Sequence, residues 1–388
     1  MSKFDDDYIN LCKEILSSGE EVENRTGINT IKIPAHEFHF HLDDEFPILQ
    51  SKQTFYRQAI IEMLWIWQMQ SNDVRDLHKR GVHIWDEWMV DDDGIYRIYE
   101  PNTDVFDSDK EVVVMNPLSA PISNPFSSLQ PMYDENGNVM MAKSKIVGKN
   151  IKAAKYYGKE FAYTIGTAYG YITNRYQHTQ NLIHSIINSP TDRRLVKSLW
   201  QDEFLRTAVL PSCVWGTEWD VTKGRLNLSV LQRSCDVPLG LPFNVTQYAT
   251  FLKMIAQVTG LEAGDINYYI KDAHIYKNQV SGIQEQINRW DKFKNLKKLN
   301  ISKLNLLYVK IADLLHELQI YSDKYKTDIL ELEQEKNMIE FILGEEKPEL
   351  WLNPEVSNFF QFDNSKELVD VKIKKYRHLG KISFPIAQ

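Results

Sequence analysis

Residues 231–244 read LQRSCDVPLGLPFN. Gln232, Arg233, Ser234, Asp236 and Asn244 crowd polar chemistry into a segment that is otherwise mostly apolar. The overlapping stretch LPFNVTQYATFLKMIAQVTG, over 241–260, has the apolar density of a long core helix, with Gly260 as its stop. Strands are expected around 213–232 and 264–276. Just upstream, LPSCVWG (210–216) sets Cys213 between a proline-serine turn and a valine-tryptophan pair. That stretch alone fits either a small buried hydrophobe or a nucleophile, because a cysteine beside apolar residues serves in both ways.

The chain of 388 residues is 43% hydrophobic and 12% aromatic, enough for a large core. Its net charge of −8 offers no global basic field to gather nucleic acid, so no direct nucleic-acid partner is expected. The cysteines, Cys12, Cys213 and Cys235, show neither CxxC pairing nor metal-ligand spacing. Such a sparse set fits free thiols in a reducing cytoplasm, and no metal is expected. The first residues, MSKFDDDYINLCKEIL, lack an apolar signal core, and no apolar run reaches the roughly 18 residues of a membrane span. The expectation is a cytoplasmic protein without a membrane partner.

Residues 5–18 carry apolar positions at helical spacing, and 29–41 (NTIKIPAHEFHFH) alternate like a strand. Residues 55–70, FYRQAIIEMLWIWQMQ, predict a strongly apolar helix with the single acid Glu62. Between about 100 and 160 the chain turns rich in Pro, Ser, Asn and Asp and carries the signal of a hairpin turning at Asn136-Gly137. From about 285 to 345 it is charged and helical, with Leu307, Ile311, Leu314, Leu315 and Leu318 on one stripe continued by Tyr321, Tyr325, Ile329 and Leu332. That pattern suits a helical hairpin packed on the body or on a partner, and is too short for a coiled coil.

Other candidate residues are scattered. DAHIY (272–276) places His274 and Tyr276 two apart, on one face of a strand. NRTG (24–27) and DRR (192–194) supply Arg25, Arg193 and Arg194 in turn-like contexts. Taken singly, the arginines read as surface charges and His274 as a core histidine with its hydrogen bonds met. Glu62 is harder to dismiss, since burying an unpaired acid in an apolar helix is costly.

Together these motifs closely resemble the thymidylate synthase family and its nucleotide-hydroxymethylating relatives. EMLWIWQMQSNDVRDLHKRGVHIWDEW (62–88) looks like the family's glutamate-tryptophan helix and IWDEW segment, QRSCDVPLGLPFN (232–244) like its nucleotide-binding core, and GDINYYIKDAHIYKN (264–278) like its ribose-binding strand. The resemblance spans about 5–97, 164–284 and 347–388. It implies one catalytic domain over 1–388 with an insertion at about 98–163 and a helical insertion at about 285–346. The implied fold is α/β (α+β in other schemes), a large mixed sheet with packed helices, in a homodimer joined through the sheets with shared active sites.

The resemblance also implies the chemistry. Cys213 stands where the family keeps a thiolate that adds to carbon 6 of uracil, a covalent route that turns carbon 5 into a nucleophile. Arg25, Arg233 and Ser234 would hold the nucleotide phosphate, joined by Arg193 and Arg194 from a second subunit, since guanidinium forks match phosphate oxygens. Gln232, Asp236 and Asn244 belong to the same nucleotide site. Asn244, an amide with both donor and acceptor, implies dUMP over dCMP, and His274 with Tyr276 would hold the ribose. Lys52, Ile84, Trp85, Asp236, Leu239, Gly240, Phe243 and Gln388 match positions around 5,10-methylenetetrahydrofolate, the implied cosubstrate. Glu62 would order water and move protons, with Tyr169 of GTAYG at the catalytic centre.

Three departures bear on the product. Synthases normally follow the catalytic cysteine with histidine, where this chain has Val214; it ends in the polar Gln388; and it carries the two insertions. Each touches the handling of water or the enzyme's lid. The expectation drawn from them is hydroxymethylation of dUMP, as in enlarged enzymes of phages that modify their DNA. Thymidylate synthesis, with oxidation of the folate, is the alternative.

Overall fold

A computed structural model describes residues 3–99, 109–117, 119–120, 130–138, 140–149, 151–319, 324–344 and 346–386. The chain divides into two compact units, one of residues 1–64, 177–199 and 213–388, the other of 65–176 and 200–212.

The first unit is built on a seven-stranded mixed sheet. Its strands are β1 (Glu20–Val22), β2 (Thr30–His41), β3 (Val196–Ser198), β4 (Val214–Thr222), β5 (Arg225–Gln232), β6 (Cys235–Asp236) and β7 (Glu262–Tyr276). They lie in the order β1-β2-β7-β5-β4-β3, with β6 also on β7. β7 runs antiparallel to β2 but parallel to β5 and β6. A parallel pair needs a crossover, and here it is helix α4 (Gly240–Thr259), which ends at Gly260 in the left-handed conformation with φ +69°. The motif at 231–244 therefore spans the strand end, the short parallel pair and the first turn of the crossover helix.

Cross-strand partners show why the sheet has one covered face. Phe38 stands opposite Tyr268, Phe40 opposite Ile266, and Leu228 is shared between Ile266 and Trp219. All of these are buried. Helix α1 (Lys3–Ser18) sets Phe4 edge-on against Phe38 and Phe40, at ring-centroid distances of 5.9 and 5.2 Å, and α4 sets Phe251 against Trp219 at 5.3 Å. The alternate residues, including Glu37, His39, His41, Tyr269, Glu218 and Asp220, point to the opposite, open face.

Helix α2 (Tyr56–Trp67) is almost wholly buried, as its composition predicts, but ends three residues short of the expected 70. The chain leaves it through Gln70 at φ +53°, and Ser71 N–H returns to the Trp65 carbonyl. α3 (His178–Asn188) precedes β3. The late helical region forms α5 (Val280–Lys297), α6 (Ile301–Gln319) and α7 (Lys326–Leu343). It packs on the body: Trp290 Nε1 donates to Asp6 Oδ1 on α1, and Phe293 meets Phe341 across α5 and α7. The expected stripe is only partly right. Ile311 and Leu315 are buried but Leu314 is 42% exposed, and on α7 the buried positions are Met338, Ile339 and Phe341. Tyr321 lies outside the described residues.

In the second unit, Ile95–Tyr99 pairs with Ile151–Tyr156 and Asp109–Pro117 with Met141–Lys149, all antiparallel. The turn at Asn136-Gly137 is present, with Gly137 at φ +78° and Asp134 Oδ1 accepting from the N–H groups of Asn136 and Asn138.

One buried acid ties α1 to the backbone at residues 50 and 51. Asp5 on α1 is fully buried and accepts from the backbone N–H of Gln50 and Ser51. Desolvation outweighs these bonds and raises its carboxyl from 3.8 to about 7. A raised native value means that its contribution to stability is complete below about pH 4 and is lost as pH rises through about 7. Asp5→Asn, which has no proton to lose, should flatten the urea-unfolding stability profile across that window, where the total loss from Asp5 amounts to roughly 4 kcal/mol.

Candidate active site

Cys213 sits immediately before β4, where pairing with β5 slips: Val214 faces Gln232, but Gly216 faces Leu231, leaving Trp215 as a bulge. Bulges re-aim side chains at strand ends. Here the slip holds the cysteine beside the next turn, since Arg233 N–H donates to the Cys213 carbonyl at 2.9 Å and its Nη2 lies 3.9 Å from Sγ. The three thiols differ sharply. Cys12 and Cys235 are fully buried, and burial pushes the first up to about 12 and the second well above its usual value. Cys213 alone is half-exposed and has a guanidinium at its sulfur, the setting of a reactive thiolate.

A continuous run of side-chain hydrogen bonds, buried at both ends and half-buried at Asn244, links β7, β5, α4 and α2. Tyr268 OH donates to Gln232 Oε1 at 2.7 Å, and Gln232 Nε2 donates to Asn244 Oδ1 at 3.3 Å. Asn244 Nδ2 then donates to Gln247 Oε1 at 3.1 Å, and Gln247 Nε2 donates to Glu62 Oε2 at 2.6 Å and to the Ala59 carbonyl at 3.1 Å. Each amide is pinned at both ends, so the carbonyl and amino sides of Asn244 are fixed by its neighbours. Glu62, buried on an apolar helix, receives the partner its burial demands.

At the far end of β7, His274 and Tyr276 share a face, with ring centroids 5.2 Å apart. Asp272 before them adopts φ +52°. Its carboxylate pairs with Lys32 at 2.8 Å and accepts from Ser234 Oγ at 3.2 Å, while His274 Nδ1 lies 2.8 Å from the Asp272 carbonyl. Burial, then Asp236, raises the Tyr276 phenol. Arg25 is exposed in a turn that Asn24 holds through Thr26.

Asp236 Oδ1 accepts from Leu239 N–H at the start of α4, and Oδ2 accepts from Gln279 at 3.1 Å. Desolvation raises the Asp236 carboxyl. Gln279 also donates to the Pro385 carbonyl, tying the C-terminal segment to Asp236. Lys52 is buried, donates to the Pro238 carbonyl at 2.6 Å and lies 4.7 Å from the Phe384 ring, and burial lowers its ammonium to about 8. Gly240 and Phe243 occupy the first turn of α4.

Arg193 and Arg194 are exposed after α3, with Arg194 forked onto Asp192 at 2.9 and 3.1 Å. In the second unit Trp85, 6% exposed, is surrounded by rings: Tyr169 at 5.4 Å, Trp88 at 5.6 Å and Trp65 at 6.2 Å, with Ile84 half-buried beside it. Tyr169 adopts φ +47°, and the next residue, Gly170, lies against the Ser71 backbone, where a Cβ would come within 1.8 Å of the Ser71 oxygen. Gln388 lies outside the described residues.

With the geometry established, similarity to known proteins is specific. A family model described as thymidylate synthase matches residues 6–329. The thymidylate synthase of Clostridium beijerinckii is 30% identical over 387 residues, covering 100% of each chain. That of Bacillus phage phi3T is 28% identical over 405 residues, again covering 100% of each. Among solved structures, thermostable thymidylate synthase A from Bacillus subtilis superposes with a TM-score of 0.61 at 27% identity, covering 99% of both chains. The chain belongs to the thymidylate synthase family.

As a family member it is a one-carbon transferase acting on dUMP, with 5,10-methylenetetrahydrofolate as cosubstrate. The α/β expectation, a large mixed sheet with packed helices, holds. Sequence reading passed over Gln247 and Asp272. Both carried a signal: Gln247 lies one helical turn after Asn244, within reach of its side chain, and Asp272 opens the stretch DAHIY. Gln247→Leu strips Glu62 of its amide donor and should lower stability by about 1–3 kcal/mol, read from the shift in urea midpoint at unchanged slope.

Proposed function

We propose that the enzyme makes dTMP from dUMP, with hydride from the folate completing the methyl group and dihydrofolate leaving. The observation that carries this reading is the end-to-end correspondence with relatives named thymidylate synthase: the segments at about 98–163 and 285–346 fall inside those alignments. On this reading both segments are insertions into one catalytic domain over 1–388. An enlarged chain is thus no argument for another product.

The hydroxymethyl reading keeps two sequence observations, Val214 in place of the usual histidine and the polar Gln388. Val214 is 2% exposed and apolar, so it offers an incoming water no hydrogen-bond partner. That weakens the case for water attack on the exocyclic methylene and favours hydride transfer.

In the proposed mechanism the Cys213 thiolate adds to carbon 6 of the uracil, with the Arg233 guanidinium supporting the anion. Carbon 5 then attacks the one-carbon unit, the carbon 5 proton is lost as the folate nitrogen leaves, hydride from the resulting tetrahydrofolate completes the methyl group, and the Cys213 sulfur departs from carbon 6. Arg25, Arg233 and Ser234 bind the phosphate, completed by Arg193 and Arg194 of a second copy; their exposure in the single chain suits that role. Gln232 and Asn244 read the base, and the fixed amide of Asn244 suits the uracil edge. His274 and Tyr276 hold the ribose, while Glu62 manages water and protons near carbon 4 and carbon 5. Lys52, Asp236, Leu239, Gly240 and Phe243, with Ile84, Trp85 and Gln388, serve the folate, and Tyr169 assists catalysis. The second copy would dock through the open face of the sheet, which carries Glu37, His39, Tyr269 and Glu218.

Incubation with dUMP and methylenetetrahydrofolate should release one dihydrofolate per dTMP, followed by absorbance and product mass. A hydroxymethylated nucleotide with tetrahydrofolate left unoxidised would overturn the product assignment. Cys213→Ala should cut turnover by at least about a thousandfold while dUMP binding stays measurable by calorimetry; turnover close to wild type would remove Cys213 from its role.

A further inference from the structure

The segment from the end of the glutamate-tryptophan helix into IWDEW holds a cluster to which the proposed mechanism gives no part. His78 ends a short helix (Val74–His78), His83 follows the turn at Gly81, and Asp86 opens the 3-10 turn Asp86–Trp88. Three local devices hold these positions. Asp73 caps the helix by accepting from Arg75 N–H, Gly81 takes φ +70°, and Val82 N–H returns to the Leu77 carbonyl. As a result His78 Nε2 lies 2.6 Å from Asp86 Oδ1, and His83 Nδ1 lies 3.1 Å from Asp86 Oδ2. The two imidazoles stack with centroids 4.8 Å apart and planes 25° apart. Among the described residues this is the one group of three side chains whose nitrogen and oxygen ligand atoms all lie within 4.8 Å of one another.

We infer that His78, His83 and Asp86 form a site for a late first-row divalent cation of the zinc, cobalt or nickel kind. Two imidazole nitrogens and one carboxylate oxygen are the donor set such ions prefer, whereas magnesium and calcium favour all-oxygen shells. Metal–ligand distances of about 2.0–2.2 Å in tetrahedral geometry separate ligand atoms by roughly 3.3 Å. The two imidazole–carboxylate spacings, 2.6 and 3.1 Å, fall a little short of that value, and all three ligand atoms lie within 4.8 Å of one another, so side-chain rotation would admit the ion. All three side chains reach solvent, so an ion can enter and water can fill the fourth position. Loading the site would pin the helix end to the turn that carries Trp85, joining two segments now linked there through the Asp86 carboxylate.

Cobalt(II) titration of the full-length enzyme, followed by visible absorption and equilibrium dialysis, tests the assignment. We expect one ion per chain with a spectrum of nitrogen and oxygen ligation. His83→Ala and, separately, Asp86→Asn should weaken binding at least about tenfold. His83→Ala should leave metal-free turnover and the far-ultraviolet circular dichroism unchanged, which separates lost ligation from misfolding. A lack of saturable binding, binding by both variants as tight as that of the unaltered enzyme, or a thiolate charge-transfer band assigning the ion to Cys213 would each overturn the proposal.

Discussion

A carboxylate cannot be left bare inside an apolar helix, and the buried hydrogen bond from Gln247 to Glu62 meets that requirement. Its consequences run through the site. Having committed its amino group to Glu62 and Ala59, Gln247 can offer Asn244 only its carbonyl oxygen, which turns the Asn244 amide one way. Gln232 closes the other side of Asn244 and is itself held by Tyr268 in the central strand. The orientation of one amide thus depends on a helix, a crossover helix and two strands arriving together.

The central strand Glu262–Tyr276 supplies the frame in which these parts meet. It is paired on both edges, antiparallel to Thr30–His41 and parallel to Arg225–Gln232 and Cys235–Asp236. Its inward residues fill the core, while its end delivers Asp272, His274 and Tyr276 beside Ser234 and Asp236. The left-handed Asp272 is strained for a strand, and its carboxylate is repaid with Lys32 and Ser234 as partners. Charge is treated by the same physics throughout: desolvation raises Asp5 and Asp236 and lowers Lys52, and neighbouring hydrogen bonds and opposite charges temper it.

Much of this was written in the chain. The period of 231–260 marks a strand, a polar turn and a buried helix, and the structure has all three in that order. Glu62 stood out because an acid in an apolar helix has few harmless explanations. Gly260 and Gly137 fall where the backbone is left-handed. Helix limits were less legible: α2 stops at Trp67 although apolar residues continue to Met69, because the chain turns back at Gln70. The stripe of the later helices was misjudged at Leu314, since periodicity gives a face but not its partner.

By itself, then, the sequence determined the family, the α/β architecture and the residue types able to bind a nucleotide and attack a pyrimidine, since these arise from local pattern and side-chain chemistry. Only the tertiary structure decided which cysteine keeps a half-exposed sulfur beside a guanidinium, which way the Asn244 amide faces, and that Gln247 and Asp272 belong with the residues around it. Those properties depend on desolvation and on hydrogen bonds between side chains as far as 185 positions apart. Neither exists until the strands and helices have packed.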